Sequence, residues 1–300
     1  MDEKAWLAER FEEHRTHLRA VAYRMLGSLT DAEDAVQDTW IRFSASNASE
    51  VENLGGWLTT IISRVCLNML RSRNVRREDS LEVHLPDPVV SREADLQPEE
   101  EAVLADSVGL ALLVVLDTLA PAERLSFVLH DMFGLPFEDI APMVGRNPTA
   151  ARQLASRARR RVQGADLRTP EPDLARQREV VDAFFRAARA GDFDGLVAVL
   201  HPDAVLRSDF GAKRPKAAAG PVVRGAATIA GRALTFSDPK ATLVPAVVNG
   251  AAGVVVTFAG RPFAVLGFTV VDGRIVEIDA IADPERIGRI TAPVLAASGG

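Results

Sequence analysis

Apolar residues recur along the first quarter of the chain at helical spacing. Leu18, Val21, Ala22, Met25 and Leu26 fall at i, i+3, i+4, i+7 and i+8, which predicts an amphipathic helix ending near Gly27. Thr30-Asp31-Ala32-Glu33 has the form of a capping box, with Thr30 serving the orphan amides and Glu33 reaching back. The helix it opens carries Ala32, Ala35, Val36, Thr39, Trp40 and Phe43 on one face. A third helix starts near 54–57 and turns Leu58, Ile61, Ile62, Val65 and Met69 inward.

From Ser80 to about Glu101 the period dissolves, and Pro86, Pro88 and Pro98 lie among acids, which predicts an extended linker rather than a folded element. Helical spacing resumes over 103–119 and runs to about Val162, and residues 164–172, with Pro170 and Pro172, make a second break. Beyond it Val181, Phe184, Phe185 and Ala188 stripe one helix over 180–190. Strand-like runs follow at 204–207, 243–248, 253–258, 263–271 and 275–281, with Asp272-Gly273 as a two-residue hairpin turn. The expected architecture is multidomain: two all-α modules, a helical bundle and a helix-turn-helix, followed by an α+β domain with an antiparallel meander. The expected boundaries are 5–77 and 103–164 for the helical modules, 78–102 for the acidic linker and 165–174 for a connector. The α+β domain then covers 175–290, with a tail over 291–300.

Composition narrows the class. The 300 residues are 47% hydrophobic and 25% charged, as in an ordinary soluble chain, and no apolar run approaches the roughly 20 residues that span a bilayer. The first residues lack the basic and apolar regions of a signal peptide. A single cysteine, Cys66, excludes an intramolecular disulfide or a Cys-rich metal site. The expectation is a cytoplasmic protein with no metal, no cofactor and no membrane partner.

Net charge is −6, which by itself argues against nucleic acid, but the charges are sorted. Arg64, Arg71, Arg73, Arg76 and Arg77 fall between 60 and 77 with no acid among them, and Arg146, Arg152, Arg157, Arg159, Arg160 and Arg161 do the same between 140 and 165. Residues 78–106 carry ten acids against Arg92 alone. Two basic patches around an acidic strap suit a two-point grip on DNA, and equally describe solvated helix faces.

The segment 136–163 is the most informative. Phe137, Ile140, Ala141 and Val144 make a short apolar stripe, Gly145-Arg146-Asn147 a tight turn, and Asn147-Pro148 the start of a new helix. That helix buries Ala151, Leu154, Ala155, Ala158 and Val162, leaving Thr149, Arg152, Gln153, Ser156 and Arg160 on the opposite face. Short helix, turn and a cationic second helix form a helix-turn-helix pattern, in which Arg reads guanine, Gln reads adenine and the remaining arginines hold phosphates. Pro142 removes one bond from the first helix and is expected to shorten or kink it. On the third helix, Trp57, Thr60, Arg64, Asn68 and Arg71 share one side, which suits unstacked bases; Trp57 alone fits a core position equally well. Asp31, Asp34 and Asp38 read by themselves as a solvated surface near a helix N-terminus.

Tyr23-Arg24-Met25-Leu26-Gly27-Ser28 and the run from Asp31 to Trp40 resemble region 2 of a bacterial sigma-70 family factor, and the segment from Leu119 to Arg161 resembles its region 4. With regions 1 and 3 missing, the chain is similar to the extracytoplasmic function (ECF) class over about 12–163. The resemblance implies a transcription initiation factor that binds core RNA polymerase. Asp31, Asp34, Gln37, Asp38 and Trp40 would dock the β′ clamp helices, and the helices before the helix-turn-helix would meet the β flap. Trp57, Thr60, Arg64, Asn68 and Arg71 would serve the −10 element. Arg146, Asn147, Thr149, Arg152, Gln153, Ser156, Arg157 and Arg160 would serve the −35 element.

The C-terminal half resembles the SnoaL-like domain of the NTF2-like superfamily, a curved sheet wrapped by helices around a pocket. Sigma factors with this extension form one ECF subgroup with three short signatures. They are represented here by His84-Leu85-Pro86-Asp87-Pro88, by Asp283-Pro284-Glu285-Arg286-Ile287, and by the eroded Asp209-Phe210-Gly211-Ala212-Lys213. The resemblance implies that this domain regulates the sigma modules by contacting them or the polymerase, with residues 283–287 taking part in the intramolecular contact. Asp209, Asp279 and His201 are the titratable candidates for cyclase-type catalysis or ligand sensing. No triad or metal spacing organises them. His201 reads as a turn residue and Asp279 as solvent-facing. Two other classes stay open: a ligand-responsive helix-turn-helix regulator independent of polymerase, and a polyketide-cyclase-like enzyme with a DNA-binding appendage.

Overall fold

The computed structural model describes residues 3–46, 53–77, 84–93, 109–165, 170–211 and 222–295. The chain divides into two compact units, one built from Met1–Ser80, Glu99–Val108 and Leu112–Leu167, the other from Leu81–Pro98, Gly109–Ala111 and Arg168–Gly300.

The first unit is helical. α1 (Glu3–Leu26), α2 (Leu29–Ser44) and α3 (Leu54–Arg77) pack together on the stripes read from the sequence; Leu18, Val21, Ala22, Met25 and Leu26 are all buried. Gly27 closes α1 in the left-handed region, its N–H bonding the Tyr23 carbonyl at 2.8 Å. The N-cap of α2 is Ser28 rather than Thr30: Ser28 has extended backbone, its hydroxyl accepts from the Asp31 N–H, and helical geometry already holds at Leu29. α4 (Leu110–Asp117) and α5 (Pro121–Phe127) follow, α5 running into a π-helical turn over Val128–Met132 that no periodicity announced.

α6 (Phe137–Val144) and α7 (Pro148–Gly164) are the helix-turn-helix. Pro142 does not break α6. It lies on the exposed side, where the carbonyl left without an intrahelical donor belongs to solvent-facing Glu138. Gly145, at φ 68°, ends α6, and the Arg146 N–H returns to the Ala141 carbonyl at 2.9 Å in a Schellman-type closure. Asn147 then caps α7 by accepting from the Ala150 N–H at 2.8 Å, with Pro148 in the first turn.

The second unit wraps α8 (Leu174–Ala190), α9 (Phe193–Val199), α10 (Ala226–Phe236) and α11 (Ile287–Leu295) around one seven-stranded sheet. Its strands are β1 (Val90–Ser91), β2 (Leu200–Asp209), β3 (Val222–Arg224), β4 (Ala241–Val248), β5 (Ala251–Phe258), β6 (Arg261–Val271) and β7 (Arg274–Ile281), in the order β1-β4-β5-β6-β7-β2-β3. The expected meander is β4 to β7. Its three turns, Asn249-Gly250, Ala259-Gly260 and Asp272-Gly273, all have positive φ at both residues, the geometry that matches strand twist. β2 departs from it by running parallel to β7. α10 was not anticipated, and α11 runs through the expected 290/291 boundary. Phe184, Leu196, Phe268, Ile275 and Ile278 lie in the core between helices and sheet.

The linker expectation is corrected for residues 84–93. Leu85, Val89 and Val90 are buried, and β1 adds to the sheet edge with Val90 opposite Val248 and Ser91 opposite Val247. The Val89 N–H donates to Asn249 Oδ1 at 2.7 Å and the Asn249 N–H to the Val89 carbonyl at 2.9 Å. An edge strand tolerates flanking prolines, so Pro86 and Pro88 do not exclude pairing. The remainder of the acidic stretch, 78–83 and 94–102, lies outside the described residues, as do 166–169 of the connector and 296–300 of the tail.

Candidate nucleic-acid faces and linker clasp

α7 buries Ala151, Ala155 and Ala158 against its neighbours, so the opposite side is turned out: Thr149, Arg152, Gln153 and Arg160 are exposed, Ser156 half-buried, and Arg146 and Asn147 exposed in the turn. Arg152 stacks its guanidinium 5.4 Å from the Phe137 ring centre, which steadies it without consuming its donors. Arg157 differs from the expectation. Its Nε donates to Glu123 on α5 at 2.9 Å, Arg161 reaches the same carboxylate at 3.4 Å, and Arg159 meets Asp131 at 2.6 Å. These three arginines fasten α7 to α5 and the π turn, leaving Arg146, Arg152 and Arg160 as the cations of the outer face.

On α3, Arg64, Asn68 and Arg71 are exposed and Thr60 is half-buried, its hydroxyl donating to the Gly56 carbonyl at 3.0 Å. Trp57 is half-buried and meets Phe43 edge-on at 5.9 Å, and Trp40 meets Phe11 at 5.2 Å. Both indoles belong to one aromatic cluster under the α1–α2–α3 surface, which holds them in place while exposing part of each. Asp34 and Gln37 are exposed on α2, Asp38 pairs with Arg42 at 3.2 Å, and Asp31 is held by Arg73, which also donates to the Leu26 carbonyl at 2.9 Å.

Within this unit the two helical modules are in contact. Arg124 of α5, only 1% exposed, donates from Nε to the Arg24 carbonyl of α1 at 3.2 Å and from Nη1 to Asp117 at 3.1 Å. The Phe133 ring lies 5.2 Å from the His17 ring, edge to face, and 5.2 Å from the Arg24 guanidinium. Burial pushes the His17 pKa down, with the His14 and Arg24 charges acting the same way. Sequence periodicity marked none of these residues, because a buried cation has the same spacing as an exposed one.

The three short signatures of the C-terminal half converge on Arg286. Arg286 is 8% exposed; its Nε donates to Asp87 at 2.7 Å, its Nη1 to Asp209 at 2.6 Å and its Nη2 to the Leu85 carbonyl at 2.6 Å. The Leu85 N–H donates to the same Asp209 oxygen at 2.9 Å, and His84 Nδ1 lies 3.2 Å from Arg286 Nη1. The geometry around Asp283 presents the arginine: its Oδ1 accepts the Glu285 N–H at 2.9 Å and its carbonyl accepts the Arg286 N–H at 3.1 Å, opening α11. Asp209 is fixed by its own turn, with Oδ1 accepting the Gly211 N–H at 2.9 Å; Ala212 and Lys213 lie outside the described residues. One guanidinium thus spends its donors on two carboxylates and a carbonyl, capturing the 84–88 segment.

The candidates for catalysis are otherwise engaged. Asp279 is corrected from solvent-facing to 3% exposed, where Arg207 meets it at 3.1 Å and Glu277 at 3.0 Å. Burial raises the Asp279 pKa to about 6; two carboxylates share one guanidinium, and Glu277 adds repulsion. Asp209 belongs to the clasp, and His201 is a turn residue whose Nδ1 accepts the Asp203 N–H at 3.1 Å. Among the described residues no group of three or more His, Cys, Asp or Glu is placed to hold a metal, and no helix is long and apolar enough to cross a membrane.

A helical bundle, a helix-turn-helix with an exposed cationic face and an α+β domain holding the linker between them define the class: the chain belongs to the ECF sigma factors of the sigma-70 family. Residues 10–76 match Sigma-70 region 2 and residues 109–162 match Sigma-70, region 4. The chain is 35% identical over 293 residues to the probable ECF RNA polymerase sigma factor SigI of Mycobacterium tuberculosis, covering 96% of this chain and 95% of that one. It is 42% identical over 208 residues to the ECF RNA polymerase sigma factor SigJ of the same organism, covering 69% of this chain and 66% of SigJ. The crystal structure of SigJ superposes with a TM-score of 0.73 at 34% identity, over 93% of this chain and 97% of that chain, so the fold extends through the C-terminal domain.

Proposed function

We propose that this sigma factor rests in a closed form that the C-terminal domain helps to hold, and that it opens on core polymerase to place α3 at the −10 element and α7 at the −35 element. In that reading Asp34, Gln37 and the rest of the α2 surface dock the β′ clamp. Trp57, Thr60, Arg64, Asn68 and Arg71 contact the −10 strand. Arg146, Thr149, Arg152, Gln153 and Arg160 contact the −35 duplex, and Arg157 joins them only if it leaves Glu123.

The observation that carries the reading is the capture of residues 84–91 by Arg286 and the β4 edge. Elements centred 25 base pairs apart lie roughly 85 Å apart along B-form DNA, whereas α3 and α5 are in contact within one unit. The modules must therefore separate to engage both elements. The two helical modules are joined through residues 78–108, and capture of 84–91 takes eight residues of that connection out of its reach. Releasing the clasp lengthens the tether.

The test is run-off transcription with core polymerase from a promoter carrying both elements. Asp87→Ala removes the linker's carboxylate and leaves the Arg286–Asp209 pair in its own domain, so more transcript is expected than from the parent chain. Equal or lower output, with unchanged binding to core, would sink the proposal that the clasp restrains the factor. Retained operator binding without any polymerase association would instead favour the polymerase-independent regulator.

A further inference from the structure

The π-helical turn Val128–Met132 ends α5 and leads into the helix-turn-helix. Such a turn holds one extra residue, which redirects the side chains around it, and it is frequent at functional positions. Here the Phe133 N–H bonds the Val128 carbonyl at 3.2 Å and the Leu135 N–H the Leu129 carbonyl at 2.9 Å, closing the turn through Gly134 at φ 70°. Two consecutive side chains of the turn then address the two helices that follow. Asp131 holds Arg159 of α7 at 2.6 Å. His130 faces the start of α6, with its Nδ1 2.9 Å from the Leu135 carbonyl oxygen. A carbonyl only accepts, so the imidazole proton sits on Nδ1. The same imidazole stacks on the Phe137 ring, with centres 3.9 Å apart and planes 30° from parallel.

Phe137 is also the ring beside which Arg152 lies, 5.4 Å from guanidinium to ring centre. Arg157, Arg159 and Arg161 of α7 are tied to carboxylates, whereas among the described residues Arg152 rests on this ring. Arg152 is exposed, and a long side chain loses much rotamer freedom when it is fixed on a base. A ring that orients the guanidinium beforehand removes part of that cost. It can do so only if its own plane is held. Phe137 is buried at the edge of α6, and the His130 imidazole sets the plane of its ring from one face. The imidazole is in turn anchored to the Leu135 carbonyl, two residues before Phe137. A chain of contacts therefore runs from the π turn through Phe137 to a side chain on the outer face of α7.

We propose that His130 is a positioning residue for −35 recognition: stacked on Phe137, it fixes the ring on which Arg152 lies and thereby sharpens the base preference of Arg152. His130 acts through Arg152, so its effect on sequence preference is confined to the base positions that Arg152 reads. The inference rests on the reading of Arg152 as a −35 contact. An exposed guanidinium–ring contact is equivalent to about two- to fivefold in affinity, which sets the size of the effect.

Selection from a randomised −35 library, by holoenzyme assembled from the full chain and core polymerase, tests the role. The bases read by Arg152 are those at which Arg152→Ala loses preference. His130→Asn keeps an amide donor where Nδ1 stands and loses the ring, and should lower discrimination at those bases by about two- to fivefold with preference elsewhere unchanged. His130→Phe keeps a ring on Phe137 and should retain most of the discrimination. In an Arg152→Ala chain, neither substitution should change the preference further. A merely structural role predicts a different pattern, with recovery of all −35 sequences falling alike. That pattern, full discrimination in His130→Asn, equal loss in His130→Phe, or an effect that persists in the Arg152→Ala chain would each overturn the positioning role. Preference unchanged by Arg152→Ala itself would overturn the −35 reading of Arg152 and the proposal with it, so the two failures are told apart by that single variant.

Discussion

Asp209 Oδ2 accepts at once from the side chain of Arg286 at 2.6 Å and from the backbone N–H of Leu85 at 2.9 Å. One carboxylate oxygen therefore joins the C-terminal helix, strand β2 and a segment lying 124 residues earlier in the chain. Removing either charge strands the other in a buried place, and breaking a buried pair from one side typically costs about 3–5 kcal/mol. Arg286→Ala should lower stability in chemical denaturation by about that order, with Asp209→Asn milder because the amide keeps an acceptor. A loss below about 1 kcal/mol for Arg286→Ala would mean that the clasp carries little of the fold's stability.

Gln153 and Arg152 project from the exposed side of α7, where bidentate contacts to bases are geometrically available. Substituting either by Ala should weaken binding of polymerase holoenzyme to its −35 sequence by about 1–3 kcal/mol and relax preference at one or two base positions. Selection from a randomised −35 library reads this directly; an unchanged sequence preference removes that residue from the readout.

His17 is neutral in the packed unit because burial and the nearby His14 and Arg24 lower its pKa below the usual 6.5. A histidine with a lowered folded-state pKa contributes stability that is present above about pH 6.5 and lost as pH falls through the folded value. Charging it beside Arg24 and against Phe133 should loosen the α1–π-turn contact. The stability of the parent chain is expected to drop more steeply below pH 6 than that of His17→Leu. Parallel pH curves would exclude the contribution.

Cys66 lies fully buried on α3, and burial pushes its thiol pKa up to about 12. Almost no thiolate exists at neutral pH, so the folded chain should react with a disulfide reagent only at the rate of opening, and rapidly once denatured. Fast stoichiometric labelling of the native chain would contradict the packing of the α1–α3 bundle.

Much of this architecture is legible in periodicity and turn chemistry. The α1–α3 stripes, the Asn147-Pro148 helix start and the Asp272-Gly273 turn are local signals that packing reinforces, and Gly145 closes α6 despite Pro142. What stayed hidden is non-local. Leu85 to Ser91 reads as an acidic, proline-broken linker because its partner edge, β4, lies more than 150 residues away. Arg124, Arg207 and Arg286 look like surface cations until their carbonyl and carboxylate partners are placed around them. Arg64, Asn68 and Arg71 on α3 and Thr149, Arg152, Gln153 and Arg160 on α7 are exposed, while Trp57, Thr60 and Ser156 are half-buried, and Arg157 shows that a residue on such a face can be bound to its own fold.

The most direct test of the closed form is the distance between the two helical modules. Fluorophores at Glu13→Cys on α1 and Gln163→Cys on α7 occupy exposed positions away from the proposed DNA faces, and buried Cys66 stays unlabelled. Energy transfer should be high in the free chain and fall sharply on binding core polymerase and promoter, as the modules part by some tens of Å toward the roughly 85 Å between the two elements. Transfer that stays high in an actively transcribing complex would contradict the account.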